Sequence, residues 1–296
     1  MTELTPRTNY WLLLLRLIAY VAAGVVLYGI IASPFVLQGA GAPKTQRLLQ
    51  FIGVTCIFLL PSWLFTIAVG KEPLEHFKLK TYPKAAYLIL GVILVFAAEP
   101  FIAYTTELNN RLTLPPSMAE LENLLKQFEK QAEQVTMGLL ADDSYTGLFS
   151  NLLIMAALPA LAEEIFFRGV LQQFFIRWTK SIHMGIWLTA FWFSFLHFQF
   201  YGFIPRLLLG VMLGYLFVSS RSLWPNVLFH LANNSIFVLV TFFDLEHSGF
   251  AFFSDSYHFP LYTVVASLAI TVLVFVALHK KNIKDGSELD KSIHHE

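Results

Sequence analysis

Charge is what this sequence has least of. Only 14% of its 296 residues are Asp, Glu, Lys or Arg, against about a quarter in a soluble globular domain. The two signs cancel at 20 residues each. The shortage excludes an ordinary solvated globule, and the neutral balance removes the basic surface that nucleic acid would need, so no nucleic-acid partner is expected. Cysteine is equally scarce. Cys56 stands alone in an apolar run, which excludes an intramolecular disulfide and leaves an inert packing residue. No internal repeat or low-complexity tract stands out. No cleavable leader is expected either, because the first apolar stretch, 11–31, is longer than a signal h-region and has no small-residue exit before Pro34.

What the chain has instead is apolar length. Hydrophobic residues make up 56% of it, and runs near the roughly 20 residues that cross a bilayer core lie at 11–33, 48–69, 85–106, 147–176, 184–201, 203–220, 222–243 and 258–279. The expectation is an all-α fold, a polytopic membrane bundle of about eight transmembrane helices. It forms one domain over 1–279, followed by a polar tail at 280–296. Eight spans put twelve loop Lys and Arg on the side of the termini and five on the other. Cytoplasmic loops carry the excess of such residues, so both termini are expected in the cytoplasm, with the bilayer in question most simply the cell membrane.

One segment is patterned differently. Pro115-Pro116-Ser117 precedes Met118-Ala119-Glu120, a Ser-x-x-Glu capping box, and Met118, Leu121, Leu125, Phe128, Ala132 and Val135 then recur at alternating steps of three and four. The spacing predicts an amphipathic helix over about 117–136. It suits an interfacial helix on the outer surface, a cover over a substrate opening or a dimer seam; the oligomeric state stays open.

Ionisable side chains inside a span are costly and mark functional candidates. Within 147–176 the sequence reads Ala162-Glu163-Glu164-Ile165-Phe166-Phe167-Arg168. Glu164 and Arg168 are four apart, acid first, as an ion pair on one helix face requires. Glu163 points about 100° away and is left free to act. His197 follows in the next apolar run, four after Phe193, and His230 and Asn234 share a face with Asn226 in 222–243. Taken singly, each group also suits a structural role: a staple, a satisfied core histidine, an interhelical amide. Together, a free acid, two imidazoles and an amide supply what water-mediated acyl transfer needs: a base, an acid for the leaving amine and donors for an oxyanion. Arg206, just past the 5–6 link, either neutralises the link, meets a substrate carboxylate or snorkels to the interface. Gly210-x-x-x-Gly214 offers a small-residue packing face. Arg16 and Glu99 fit snorkelling or helix termination.

Glu163-Glu164-x-x-x-Arg168, Phe193-x-x-x-His197 and His230-x-x-x-Asn234 resemble, in order and spacing, the three motifs of the CAAX prenyl protease and bacteriocin-processing (abortive-infection-like) intramembrane peptidases, over about 147–243. The resemblance implies an eight-helix fold with its site in a cavity within the membrane. Glu163 and His197 would activate water, and His230 and Asn234 would stabilise the oxyanion. Glu164, Arg168, Phe193 and Asn226 are read as supports. The family has been described in both metal-dependent and metal-free terms. Glu163, His197 and His230 could hold a divalent ion such as zinc, but no His-Glu-x-x-His is present and an Asn is an unusual ligand, so no cofactor is favoured. The expected partner is a peptide or membrane-protein substrate, prenylated or not. A proton-coupled transporter, or a scaffold or immunity protein of the same fold, uses the same residues differently.

One difficulty is geometric. Rise along the helices places Glu163 at or below mid-membrane but His197 near the outer end of its span. A shared site therefore requires the link around 198–203 to be short or sunken.

Overall fold

The computed structural model describes residues 9–37, 42–245 and 257–285, and the described residues form helices and no strands. The helices are α1 (Tyr10–Leu37), α2 (Pro43–Ala68), α3 (Ala85–Asn110), α4 (Ala119–Leu140), α5 (Tyr145–Thr179), α6 (Ile182–Phe195), α7 (Phe203–Ser220), α8 (Trp224–Phe242) and α9 (Leu261–Asp285). Seven of the eight apolar runs are long and apolar enough to cross a bilayer. The chain is an integral, multi-pass membrane protein of the all-α class. Of the expected tail, 286–296 lies outside the described residues, and α9 runs on to Asp285.

The run at 184–201 departs from expectation. Its helix, α6, has 14 residues and ends at Phe195, a length of about 21 Å at 1.5 Å per residue. Phe198 then takes a left-handed backbone (φ 53°), which a bulky L-residue adopts at a cost of about 1–2 kcal/mol, and a single 3₁₀ turn over Phe200–Gly202 leads into α7. Aromatic residues in this turn read as lipid-facing helix in any hydropathy window. The link is short, as a shared site requires.

Prolines bend the long helices in a way the sequence explains. A proline has no N–H for the carbonyl four residues back and crowds it as well. Upstream of Pro61 in α2 and of Pro159 in α5 the backbone loosens into π-helical segments, Thr55–Leu59 and Leu152–Ala157. A third π-helical segment, Ile165–Gln172, carries Arg168. In α3, the break at Pro100 is repaired from outside. Ser267 of α9 donates its hydroxyl to the Ala97 carbonyl at 2.6 Å and accepts from the Phe101 N–H at 3.3 Å, closing the ladder across the kink.

The amphipathic helix is present, but two details differ. α4 begins at Ala119 with no side-chain cap, because Pro116–Met118 forms a 3₁₀ turn that carries Ser117 out of capping position. The side toward the body of the protein carries Glu122, Leu125, Glu129, Ala132, Thr136 and Leu139, again at steps of three and four. Of the expected apolar stripe, Met118, Leu121, Phe128 and Val135 are 41–48% exposed and face outward. Two carboxylates therefore point inward; Glu122 accepts from the Tyr201 hydroxyl at 3.2 Å and pairs with Lys126 at 2.8 Å.

On the link between α2 and α3, Glu72 caps the one-turn helix Pro73–His76 by accepting from the Glu75 N–H at 2.7 Å. Burial pushes the His76 imidazole down to about 4, with Arg177, Lys71 and Lys78 adding positive charge nearby. The unfolded chain takes up this proton near pH 6.5 and the folded protein only near 4, so stability is lost as pH falls through that interval. Thermal unfolding in detergent at pH 7.5 and 4.5 is expected to show a smaller acid-induced drop for His76→Gln than for the parent. An equal drop would remove His76 from the account.

Candidate active site

The polar centre is assembled where α5, α6 and α8 meet beneath α7. Glu164 and Arg168 are both fully buried, and the Arg168 Nη1–H donates to Glu164 Oε1 at 2.7 Å. Arg168 also donates from Nη2 to the Gly210 carbonyl at 3.1 Å, and Gln172, one turn on, donates to the Gly214 carbonyl at 3.0 Å. The two glycines permit this approach. A Cβ at Gly210 would lie 3.0 Å from the Ala190 Cβ, and one at Gly214 would lie 2.6 Å from Ile186, so α6 packs against bare backbone. The expected small-residue face thus also presents carbonyls to the buried Arg168 and Gln172 side chains of α5.

Glu164 is the hub of the centre. Besides Arg168 it accepts from Asn226 Nδ2 at 3.3 Å and faces His230 Nδ1 at 3.0 Å. A carboxylate held ionised by a guanidinium can only accept, so the His230 proton sits on Nδ1 and Nε2 is turned the other way. That nitrogen stands 3.9 Å from Glu163 Oε2, beyond direct hydrogen bonding. Asn226 is pinned further by its bond to the Leu213 carbonyl at 2.7 Å. The stripe read from the sequence as one functional face is therefore divided: Asn226 supports and His230 is aimed.

His197 is fixed by backbone. Its Nδ1 lies 2.6 Å from the Phe193 carbonyl, an acceptor only, so Nδ1 carries the proton and Nε2 offers a lone pair. The Phe193 ring joins the three motifs. Its centroid is 5.0 Å from that of His197 and 6.1 Å from that of His230, and the Arg168 guanidinium lies 4.9 Å above it. His197 is close enough to Glu163 and His230 to interact with both electrostatically.

Glu163 and Asn234 line a cavity of about 990 Å³, together with Glu99, Glu129, Arg206 and Asn233. Glu163 Oε2 is buried and accepts no hydrogen bond; the carboxylate that lacked a partner by spacing has His230 Nε2 facing it at 3.9 Å. The imidazoles do not form the cavity wall: His230 lies directly behind Glu163, and His197 on the Phe193 side. Asn234 donates to the Met155 carbonyl at 3.4 Å, which is the carbonyl an α-helix would pair with the amide that Pro159 lacks.

Three positioning residues escaped sequence reasoning. Asn109, at the end of α3 and 1% exposed, clasps the turn by donating to the Phe200 carbonyl at 2.9 Å and accepting from the Ile204 N–H at 2.8 Å. Ser194 donates to the Phe203 carbonyl at 2.6 Å, and Gln172 ties α5 to α7. No spacing pattern marks them; a lone polar residue at a helix end looks like termination. Asn109→Ala leaves the half-buried Ile204 N–H unpaired and takes one of two donors from the Phe200 carbonyl, a cost of about 1–3 kcal/mol. A lowered midpoint of thermal unfolding in detergent is expected, and an unchanged midpoint would show that the turn holds itself.

Among the described residues, no three His, Cys, Asp or Glu side chains are grouped as metal ligands; the hydrogen bond from His230 Nδ1 to Glu164 leaves its Nε2 free.

An all-helical membrane bundle that gathers a carboxylate, two imidazoles and carboxamides from three helices around a buried ion pair belongs to the class of polytopic membrane proteins with an intramembrane polar centre. Residues 145–236, the stretch holding all three motifs, match the family model described as Type II CAAX prenyl endopeptidase Rce1-like, and the chain therefore carries an Rce1-like domain of the CAAX-protease kind. No curated protein and no solved structure matches the chain.

Proposed function

We propose that the protein is an intramembrane endopeptidase that hydrolyses a peptide bond with water activated by Glu163. The observation that carries this reading is Glu163 Oε2: buried, accepting no hydrogen bond, and carried by a side chain that lines a cavity, with His230 Nε2 3.9 Å away. Glu163 takes a proton from water while the His197 Nε2 lone pair accepts a hydrogen bond from the O–H that remains. The hydroxide oxygen adds to the scissile carbonyl, and the resulting oxyanion is met by Asn234 Nδ2, with the His230 imidazole assigned as its second stabilising group. Glu163 then returns its proton to the leaving nitrogen as the C–N bond breaks. No step requires a metal, and no cofactor is assigned.

Glu164, Arg168, Phe193 and Asn226 position these groups without touching substrate. The loop charges keep both termini cytoplasmic, most simply in the cell membrane. The substrate is a peptide or membrane protein that reaches the cavity from the bilayer region. The test compares peptides released from membranes carrying the parent or His197→Ala protein, each with and without a chelator. Fragments are expected only with the parent and regardless of chelation. Identical fragment sets from parent and variant would end the peptidase reading, ion-coupled uptake in sealed vesicles would replace it with a transporter, and loss on chelation would overturn the metal-free chemistry.

A further inference from the structure

Arg206 has no place in that chemistry, yet it occupies the same cavity as Glu163. An arginine in an apolar helix is costly unless neutralised, and snorkelling would carry it to the interface. Here it turns into the turn region instead. Nη1 donates to the Gln199 carbonyl at 3.2 Å and Nη2 to the Gln199 side-chain oxygen. Both partners are neutral, and both belong to one residue. A guanidinium has five donors in a fork suited to carboxylates, so more than half of its capacity is unspent.

Carboxylates are near but not in contact. Glu129 and Glu163 act on Arg206 electrostatically, while Arg206 forms no ion pair within 4.0 Å with any of the described residues. Glu129 Oε2 is buried and accepts no hydrogen bond. The other lining guanidinium, Arg111, is already paired with Glu107 on its own helix. The seat is shaped for Arg206 as well. A Cβ at Gly202 would lie 2.4 Å from Nη1, so only glycine at that position leaves room for the guanidinium where it stands. The cavity, about 990 Å³, sits at the upper end of the ~300–1,000 Å³ typical of ligand pockets, which suits a short peptide segment rather than one amino acid.

We infer that Arg206 is a specificity-determining residue that binds a carboxylate of the substrate peptide, on the same cavity wall as Glu163. The inference rests on the peptidase reading for its meaning, but the binding it describes can be read without catalysis. The carboxylate has two possible sources, the C terminus of the peptide or an Asp or Glu side chain.

The test uses the full-length protein in detergent micelles and synthetic decapeptides of mixed sequence, each made as the free acid and the C-terminal amide. A second set replaces internal Glu and Asp by Gln and Asn. Binding is measured by fluorescence anisotropy and cleavage by mass spectrometry. The parent is expected to favour one charged set over its neutral counterpart by about tenfold to a hundredfold. Arg206→Gln should bring that ratio to within about twofold, and Arg206→Lys, which keeps the charge but loses the fork, should retain part of it. A preference for free acids assigns the terminal carboxylate, and a preference for internal Glu and Asp assigns the side chain. Equal binding of charged and neutral sets by the parent, or a preference that survives Arg206→Gln, overturns the inference. A preference lost in Arg206→Gln with no peptide cleaved would keep the subsite and remove the peptidase reading. Unfolding midpoints for both variants within a few degrees of the parent show that the ratios report on binding.

Discussion

Glu163→Gln is expected to lower peptide hydrolysis by about 10²–10⁴-fold, the usual contribution of a positioned general base, while leaving the fold intact or slightly more stable. The two halves of this expectation share a cause. Glu163 Oε2 is buried and accepts no hydrogen bond, so the amide surrenders no bond that supports the fold and removes a charge that burial penalises. A catalytic group that helps its reaction at some expense to its own environment gives this signature, whereas a structural carboxylate loses stability on the same substitution. Single-turnover cleavage and thermal unfolding of the purified protein, measured side by side, separate the two. Unchanged turnover would remove Glu163 from the reaction; a large drop in midpoint would make it a strut.

The neighbouring residue is expected to behave in the opposite way. Arg168→Met leaves Glu164 fully buried with its guanidinium partner gone, and removes the second donor to the Gly210 carbonyl as well. Removing one member of a buried pair costs about 3–5 kcal/mol, mostly through the charge left behind. Adding Glu164→Gln to Arg168→Met removes that charge, and much of the lost stability is expected to return. Activity should not return with it, because the carboxylate that fixes the His230 tautomer is then absent. Denaturant unfolding in micelles with a parallel cleavage assay tests both parts. A double variant no more stable than Arg168→Met would mean that the pair is held by packing and not by charge.

The parts of the site carried by helical periodicity were legible in the sequence. Four-residue spacing paired Glu164 with Arg168, aligned Asn226 with His230, and left Glu163 facing elsewhere; α8 is regular there, and in α5 the Glu164–Arg168 pair forms even though Arg168 lies in a π-helical segment. What the sequence did not carry was where α6 stops. His197 follows α6 without a break in apolar character, so its approach to Glu163 depends on Phe198 adopting a left-handed backbone and on Asn109 holding the turn from another helix. Neither has a local pattern. The cap expected at Ser117 failed for a related reason, since the prolines before it favour a 3₁₀ turn over direct helix entry. The amphipathic period of α4 was right, but which side meets the protein is set by Tyr201 and the cavity, far away in sequence.

α6 carries a consequence for the lipid as well as for the protein. At about 21 Å it is shorter than a hydrocarbon layer of about 30 Å, and a bilayer meeting so short a wall accommodates the mismatch by pinching inward. Such thinning would draw headgroups and their hydration toward the end of α6 that leads to His197. The proposed hydrolysis needs water as its second reactant, and a thinned leaflet would shorten the path by which it arrives.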